Sequence, residues 1–175
     1  MCIIGDNLQG LLRQYEICPE ILYDTFSIAV ELDACYYKWK AGLKNPITID
    51  NVDGSACYER LEMKNGEMLL KSGEGAVCCS ADRYRIPPGY FGLIQTKGTI
   101  ARWMIAAHLA DGQVEPGFEG KVTLELMNLS PYSVLLRHRT RIAQMYIFRC
   151  STNNPEFIYR GRYGDSDEPT IPKLR

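Results

Sequence analysis

The sequence predicts an all-β chain with a short N-terminal helix and one short internal helix, on three observations. Turn-forming pairs recur along its length: Asn45-Pro46, Asp53-Gly54, Asn65-Gly66, Ser72-Gly73, Pro87-Pro88-Gly89 and Pro116-Gly117. The runs between them are short and alternate apolar with polar residues, as half-buried strands require. Helical spacing of apolar residues is confined to two brief segments. Many short strands at this interval favour a β-sandwich or barrel, mostly antiparallel.

Taken in order, Asp6 is placed to cap a helix running through Tyr15, with Gln9 three positions on completing a capping-box variant. Leu8, Leu11 and Leu12 share one face of it. Thr25 to Leu32 alternates apolar residues at Phe26, Ile28, Val30 and Leu32 and reads as a strand. Asn65-Gly66 is the strongest hairpin signal. A strand from Tyr90 to Gln95 passes through Thr96-Lys97-Gly98-Thr99 into the internal helix, Thr99 to Ile105. Strands resume at Lys121 to Met127, Ser133 to Leu136 and Arg141 to Phe148. From Ser151 periodicity is lost and charge rises, so residues 1–150 read as one domain and 151–175 as an arm.

Composition narrows the function. A length of 175 residues suits a single domain with a sizeable core. The net charge of -1 gives no electrostatic footprint for duplex nucleic acid or an anionic membrane. No apolar run is long enough to cross a bilayer. Asp6 and Arg13 interrupt the first apolar residues before a secretory core could form. The seven cysteines are odd in number and irregularly spaced, which predicts free thiols in a cytoplasmic protein. No C-x-x-C occurs, and His108 and His138 stand far apart, so no metal-ligand set is expected. The H-x-E and P-C-x-x-C pattern of zinc-dependent nucleobase deaminases is missing. Any base deamination would have to activate water without zinc.

Three segments carry candidate chemistry. At Thr96 to Thr99 the N–H groups of a helix start face outward, with the Lys97 charge and the Thr99 hydroxyl beside them, an arrangement suited to phosphate. The Pro116-Gly117 turn is flanked by Glu115 and Phe118. In Val122 to Met127 the apolar residues Val122, Leu124 and Leu126 share one face, leaving Thr123, Glu125 and Met127 on the other. A carboxylate in such a strand is costly to bury unless it is paired or put to chemical use.

QTKGTIAR (Gln95 to Arg102), VEPGFEGKVTLELMN (Val114 to Asn128) and RIAQ (Arg141 to Gln144), in that order, resemble the dCTP deaminase branch of the dUTPase superfamily. The resemblance is strong from Phe91 to Phe148. It implies a dUTPase-like distorted barrel or sandwich, and a homotrimer with sites at subunit boundaries. It also implies a deoxynucleoside triphosphate substrate carrying Mg²⁺ on its phosphates. Glu125 becomes the general base that strips a water for attack on cytosine C4, a residue that the ordinary dUTPase branch lacks. Arg102 becomes the charge that keeps Glu125 ionised. Lys97, Gly98 and Thr99 become triphosphate contacts, and Glu115 the partner of the sugar 3′-hydroxyl. Phe118 becomes the ring under the deoxyribose, and Thr123 a further substrate contact. In the arm, Tyr159, Arg162 and Tyr163 become lid and phosphate contacts, with Pro169-Thr170 and Lys173-Leu174 continuing the match.

The chain departs from the family pattern in six places, the first being Ala29, which stands where the family has an acid. Lys97 replaces arginine and Gly98 replaces a functional serine. Glu115 replaces aspartate, His138-Arg139 replaces a Pro-Gly turn, and Gly164-Asp165-Ser166 stands where glutamines are usual. Two other readings accompany deamination. One is dUTP diphosphatase activity, alone or coupled to deamination, with Glu115 orienting a water toward the α-phosphate. The other is a catalytically weakened nucleotide- or protein-binding regulator.

Overall fold

The alternating runs become eleven strands, each paired antiparallel, in a computed structural model that describes residues 1–44, 46–50 and 52–173. The expected Asn45-Pro46 turn and the end of the Lys173-Leu174 match each include a residue outside the described ones. The strands are β1 (Cys2–Ile3), β2 (Ile28–Trp39), β3 (Tyr58–Glu62), β4 (Glu67–Leu70), β5 (Gly75–Arg85) and β6 (Tyr90–Thr96). They continue with β7 (Ile105–Ala106), β8 (Gln113–Val114), β9 (Glu119–Asn128), β10 (Val134–Arg137) and β11 (Arg141–Arg149). The main sheet has the order β7-β9-β5-β2-β11-β6-β8, with β1 on β11 and β3 on β2. β4 and β10 form a separate ribbon.

The long strand β2 makes the curl. Its first half pairs with β11 and its second half with β5 and β3. Register shifts at Leu32/Tyr36 in β2 and at Cys79/Arg83 in β5 bend the sheet there, as bulges do. Inside the curl lie Ile28, Val30, Leu32, Cys78, Tyr84, Leu124, Met145 and Ile147, all fully buried. Tyr84 keeps its hydroxyl satisfied there by donating to the Ala29 carbonyl at 2.7 Å.

Several local expectations need correction. Helix α1 spans Gly5–Tyr15, but its cap position is Ile4 and no side chain caps it. Asp6 sits inside the first turn, where its charge still suits the helix dipole. Leu8, Leu11 and Leu12 face the core as their spacing requires. The strand begins at Ile28, not Thr25, and Phe26 is 60% exposed, because the chain is still turning there through the Tyr23–Ile28 bridge. A second short helix, α2 (Gly54–Cys57), is set by Asp53, whose carboxylate accepts from the Ser55 N–H and hydroxyl.

The internal helix, α3 (Gly98–Ala101), is a single turn that begins earlier and ends sooner than expected. Lys97 holds the cap position without a side-chain bond. Met104 then takes a left-handed conformation (φ 59°), and Ile105 is drawn into pairing with Asn128 as β7. Asn65 and Gly66 do form a tight turn with both φ positive, closed by the Lys64–Glu67 bridge. The hairpin stops at that one bridge, however, since β3 leaves to pair with β2 and β4 with β10.

Candidate active site

β9 builds the floor of the site. Val122, Leu124 and Leu126 point into the core, while Lys121, Thr123, Glu125 and Met127 are half-buried on the other face. Across the sheet on that face Glu125 pairs with Val77 of β5, Val77 with Tyr37 of β2, and Tyr37 with Arg60 of β3. A cavity of about 390 Å³ opens over Glu125 and Thr123, walled by Asp111, Glu115, Phe118 and Tyr58.

Glu125 Oε2 is buried and has no hydrogen-bond partner. Burial pushes the Glu125 carboxyl above its ordinary range. The Asp111 backbone N–H draws it back, and the Asp111 negative charge adds to the rise. Four residues back along the strand, Lys121 pairs with Asp33 at 2.6 Å. Burial raises the Asp33 carboxyl, but the Lys121 ammonium outweighs it and holds that carboxyl low.

The turn from Glu115 to Phe118 closes one side. Gly117 has φ 84°, and a Cβ there would meet Ile158 Cβ at 2.8 Å, so the position combines a left-handed backbone with a close approach. Phe118 is 8% exposed, and its ring faces Tyr159 at 6.1 Å between centroids.

The arm forms the roof. The Tyr159 N–H donates to the Pro116 carbonyl at 2.6 Å, and the Asp165 N–H to the Glu119 carbonyl at 2.6 Å. Ser166 accepts from the Lys121 N–H, and Pro172 from the Gly54 N–H, both at 2.8 Å. The Thr170 and Thr123 hydroxyls share a 2.7 Å hydrogen bond beside Glu125. Arg83 holds Asp165 and Asp167, and Arg60 holds Glu168 in a two-oxygen contact. Gly120 clears the path, since a Cβ there would lie 3.0 Å from the Ser166 nitrogen.

Of the residues singled out from the sequence, the cavity gathers Glu115, Phe118, Thr123, Glu125, Tyr159 and Tyr163. Arg162 lies outside that lining; its guanidinium donates to the Lys173 carbonyl at 2.9 Å and lies over the Tyr163 ring. Gly98 and Thr99 in α3, and Lys97 and Arg102 at its two caps, do not line the cavity either. Within one chain Arg102 is therefore not the cation that keeps Glu125 ionised, and the local environment acts in the opposite direction. The Arg102 guanidinium instead folds back toward Gly98, where an added Cβ would sit 3.3 Å from Nη1. Trp103, Met104 and Leu129 stand exposed near α3.

Lys121, Asp111 and Tyr58 line the cavity without having been singled out from the sequence, whereas Thr170 belongs to the arm already matched. Strand alternation could have found Lys121, which shares a face with Glu125. Asp111 comes from a loop without periodicity, and Tyr58 opens the mostly exposed strand β3. The described residues contain no cluster of three or more His, Cys, Asp or Glu side chains suited to a metal ion, and all seven cysteines are free. No helix among the described residues is long and apolar enough to cross a membrane.

A family model described as dCTP deaminase-like matches residues 23–150. The chain belongs to that family. A dCTP deaminase of Halorubrum lacusprofundi is 29% identical over 133 residues, covering 74% of this chain and 65% of the relative. A dCTP deaminase of Pyrococcus abyssi is 28% identical over 165 residues, covering 93% of this chain and 98% of the relative. A relative from Methanopyrus kandleri, 29% identical over 137 residues, bears the name dCTP deaminase, dUMP-forming; the match covers 75% of this chain and 70% of that protein. Among solved structures, the 2′-deoxycytidine 5′-triphosphate deaminase of Agrobacterium tumefaciens superposes with a TM-score of 0.73 at 17% identity. That match covers 87% of this chain and 50% of the other, and it shows a shared fold.

The Glu125 environment has a measurable cost in this family member. Its carboxyl binds a proton more tightly folded than unfolded, so unfolding free energy falls as pH rises from the unfolded to the folded pKa. Above that window the full cost is present. Glu125→Gln is therefore expected to raise the urea midpoint at pH 8 and to leave it unchanged below about pH 3, where the carboxyl is protonated in both states.

Proposed function

We propose that this chain deaminates dCTP hydrolytically, giving dUTP and ammonia. The observation that carries the reading is the half-buried Glu125 carboxyl, with Oε2 unpartnered, at the floor of a cavity that Phe118 and Glu115 flank. Glu125 takes a proton from a water as its oxygen bonds to cytosine C4. Glu125 passes that proton to N3, then takes a second from the new C4 hydroxyl and passes it to the exocyclic nitrogen, so that ammonia leaves as the C4 carbonyl forms. One carboxylate can perform each transfer because they occur in sequence at one place, and a proton affinity raised toward the working pH suits both directions. The protein supplies no cluster of metal ligands among its described residues, so this reading places Mg²⁺ on the triphosphate and water.

In this reading Glu115, which lines the cavity, accepts from the sugar 3′-hydroxyl, and the Phe118 ring beside it would pack under the sugar and leave a 2′-hydroxyl without room. The triphosphate would need cations that the cavity of one chain does not hold. Lys97, Thr99 and Arg102 lie on α3 beside exposed Trp103 and Met104, and a homotrimer that brings α3 of one subunit to the cavity of the next would supply them. A second reading, deamination coupled to diphosphate release, is favoured by the dUMP-forming relative. The two differ in product, dUTP or dUMP.

Chromatography of the products from dCTP and dUTP tests both readings. Glu125→Gln is expected to lower ammonia release by about 10²- to 10⁴-fold while calorimetric dCTP affinity stays close to wild type. Turnover at the wild-type rate would remove Glu125 as the base. Glu125→Gln and Arg102→Ala subunits, each inactive alone, should regain ammonia release when unfolded and refolded together. A mixture as inactive as its parents would overturn the shared site. CTP should compete poorly with dCTP in wild type, and Phe118→Ala should narrow the gap in inhibition constants.

A further inference from the structure

The cavity over β9 has two chemically different sides. On the side of β7, which pairs with the far edge of β9, the segment leading into β8 brings Asp111 and Gln113 to the lining. On the side of β5 the lining is apolar. Glu125 pairs with Val77 of β5, so their Cα atoms lie about 5 Å apart and both side chains rise from one face of the sheet. Val77 is half-buried, and the lining continues beyond it to Tyr58 at the head of β3.

The arm bridges this apolar side and is anchored at both ends. Over β9, the Thr170 hydroxyl shares its 2.7 Å bond with Thr123, and the Thr170 N–H donates to Thr123 Oγ1 at 3.0 Å. At the far end the Pro172 carbonyl accepts from the Gly54 N–H at 2.8 Å, in the short helix that leads into Tyr58. A Cβ on Gly54 would lie 2.5 Å from that carbonyl oxygen, so the contact needs glycine there. Ile171 stands between the two anchors and lines the cavity with Pro172. Tyr58 is backed by Trp39, with ring centroids 4.4 Å apart. A slot results, with Val77 as its floor, Tyr58 as its end wall and Ile171 with Pro172 as its roof, and it is continuous with the space over Glu125.

Cytosine has a matching asymmetry. About the line from N1 to C4, one edge of the ring carries O2 and N3, which need hydrogen-bond partners. The other edge carries the C5 and C6 hydrogens and needs none. With C4 over Glu125, turning the polar edge toward Val77 would leave N3 unpaired, which is costly in a buried place. The polar edge therefore belongs on the Asp111 side, and C5 points into the slot. We propose that this slot receives an apolar substituent on C5, which places C5-alkylated and C5-alkynylated deoxycytidine triphosphates among the ligands of the site. This rests on C4 sitting over Glu125 in the deaminase reading. A hydrogen on C5 leaves the slot unfilled, whereas a carbon chain there removes apolar surface from water on both partners. The chemistry at C4 is unchanged by it. Water oxygen bonds to C4, the C4–N bond breaks, and ammonia leaves with the electron pair. 5-Methyl-dCTP gives dTTP and 5-propynyl-dCTP gives 5-propynyl-dUTP, each with one ammonia.

Calorimetry on Glu125→Gln compares the affinities of dCTP, 5-methyl-dCTP and 5-propynyl-dCTP, and ammonia release from each is followed with wild type. 5-Propynyl-dCTP should bind about 3- to 30-fold more tightly than dCTP. Ile171→Phe, introduced beside Glu125→Gln, fills the slot and should lower the affinity for 5-propynyl-dCTP relative to dCTP by about 10- to 100-fold. Ile171→Ala in the same background should keep the preference. A loosened arm lowers both affinities alike, so the ratio reads the slot alone. Weaker binding of 5-propynyl-dCTP than of dCTP, or a ratio unmoved by Ile171→Phe, overturns the proposal. If wild type releases ammonia from dCTP while 5-propynyl-dCTP neither binds nor reacts, deamination stands and the slot falls. If 5-propynyl-dCTP binds with the expected preference and Ile171→Phe removes it, but no nucleotide yields ammonia, the slot stands and the deaminase reading falls.

Discussion

The register of β9 is the constraint on which the rest of the site depends. Side chains alternate along a strand with period two, so a slip of one residue would turn Leu124 outward and Glu125 into the core. Leu124 has no exposed surface, and its burial opposes that slip. The end of the strand is anchored too. The Asn128 side chain is fully buried, donates to the Leu70 and Tyr132 carbonyls, and accepts from the Ser130 N–H and hydroxyl. Every hydrogen-bonding position of that amide is used, which joins β9 to the β4–β10 ribbon and leaves no slack in its register.

The two faces of β9 contribute to stability with opposite sign. The core side of β9 is apolar and satisfied, whereas the cavity side carries Glu125 with one oxygen unpaired. Against that cost the Lys121–Asp33 pair is a favourable neighbour, with both side chains under a fifth exposed. The ion pairs that hold the arm are different in kind. Asp165 and Asp167 are mostly exposed, and each such pair contributes little in water. The arm is held chiefly by its backbone bonds to Pro116, Glu119, Lys121 and Gly54, with glycines clearing its path.

What could be read from the sequence was whatever repeats at short range. The alternation in Val122 to Met127 placed Glu125 on the correct face, and the Pro116-Gly117 pair placed Glu115 and Phe118 together. The leucine spacing gave the buried side of α1. Turn chemistry at Asn65-Gly66 was legible, but the partners of the flanking strands were not, because pairing is decided by residues far along the chain. Asp111 enters the cavity from an irregular loop and Tyr58 from the first position of the mostly exposed strand β3, and neither carries an apolar alternation that would mark it. Arg102 and Glu125 stand in neighbouring motifs yet on separate surfaces of one chain, a separation that linear spacing does not encode.

The arm can be viewed as a ligand carried on its own tether. Residues 151–158 lead from the end of β11 to the backbone bond at Pro116, with Asn153 packed against Gly89 on the way, a short connection that keeps the docking segment close to its groove. Tethering raises the effective concentration of a segment at its groove, so contacts that would be too weak between separate molecules suffice within one chain. A substitution in the arm is then felt first in the docking of that segment, and only through it in the sheet beneath.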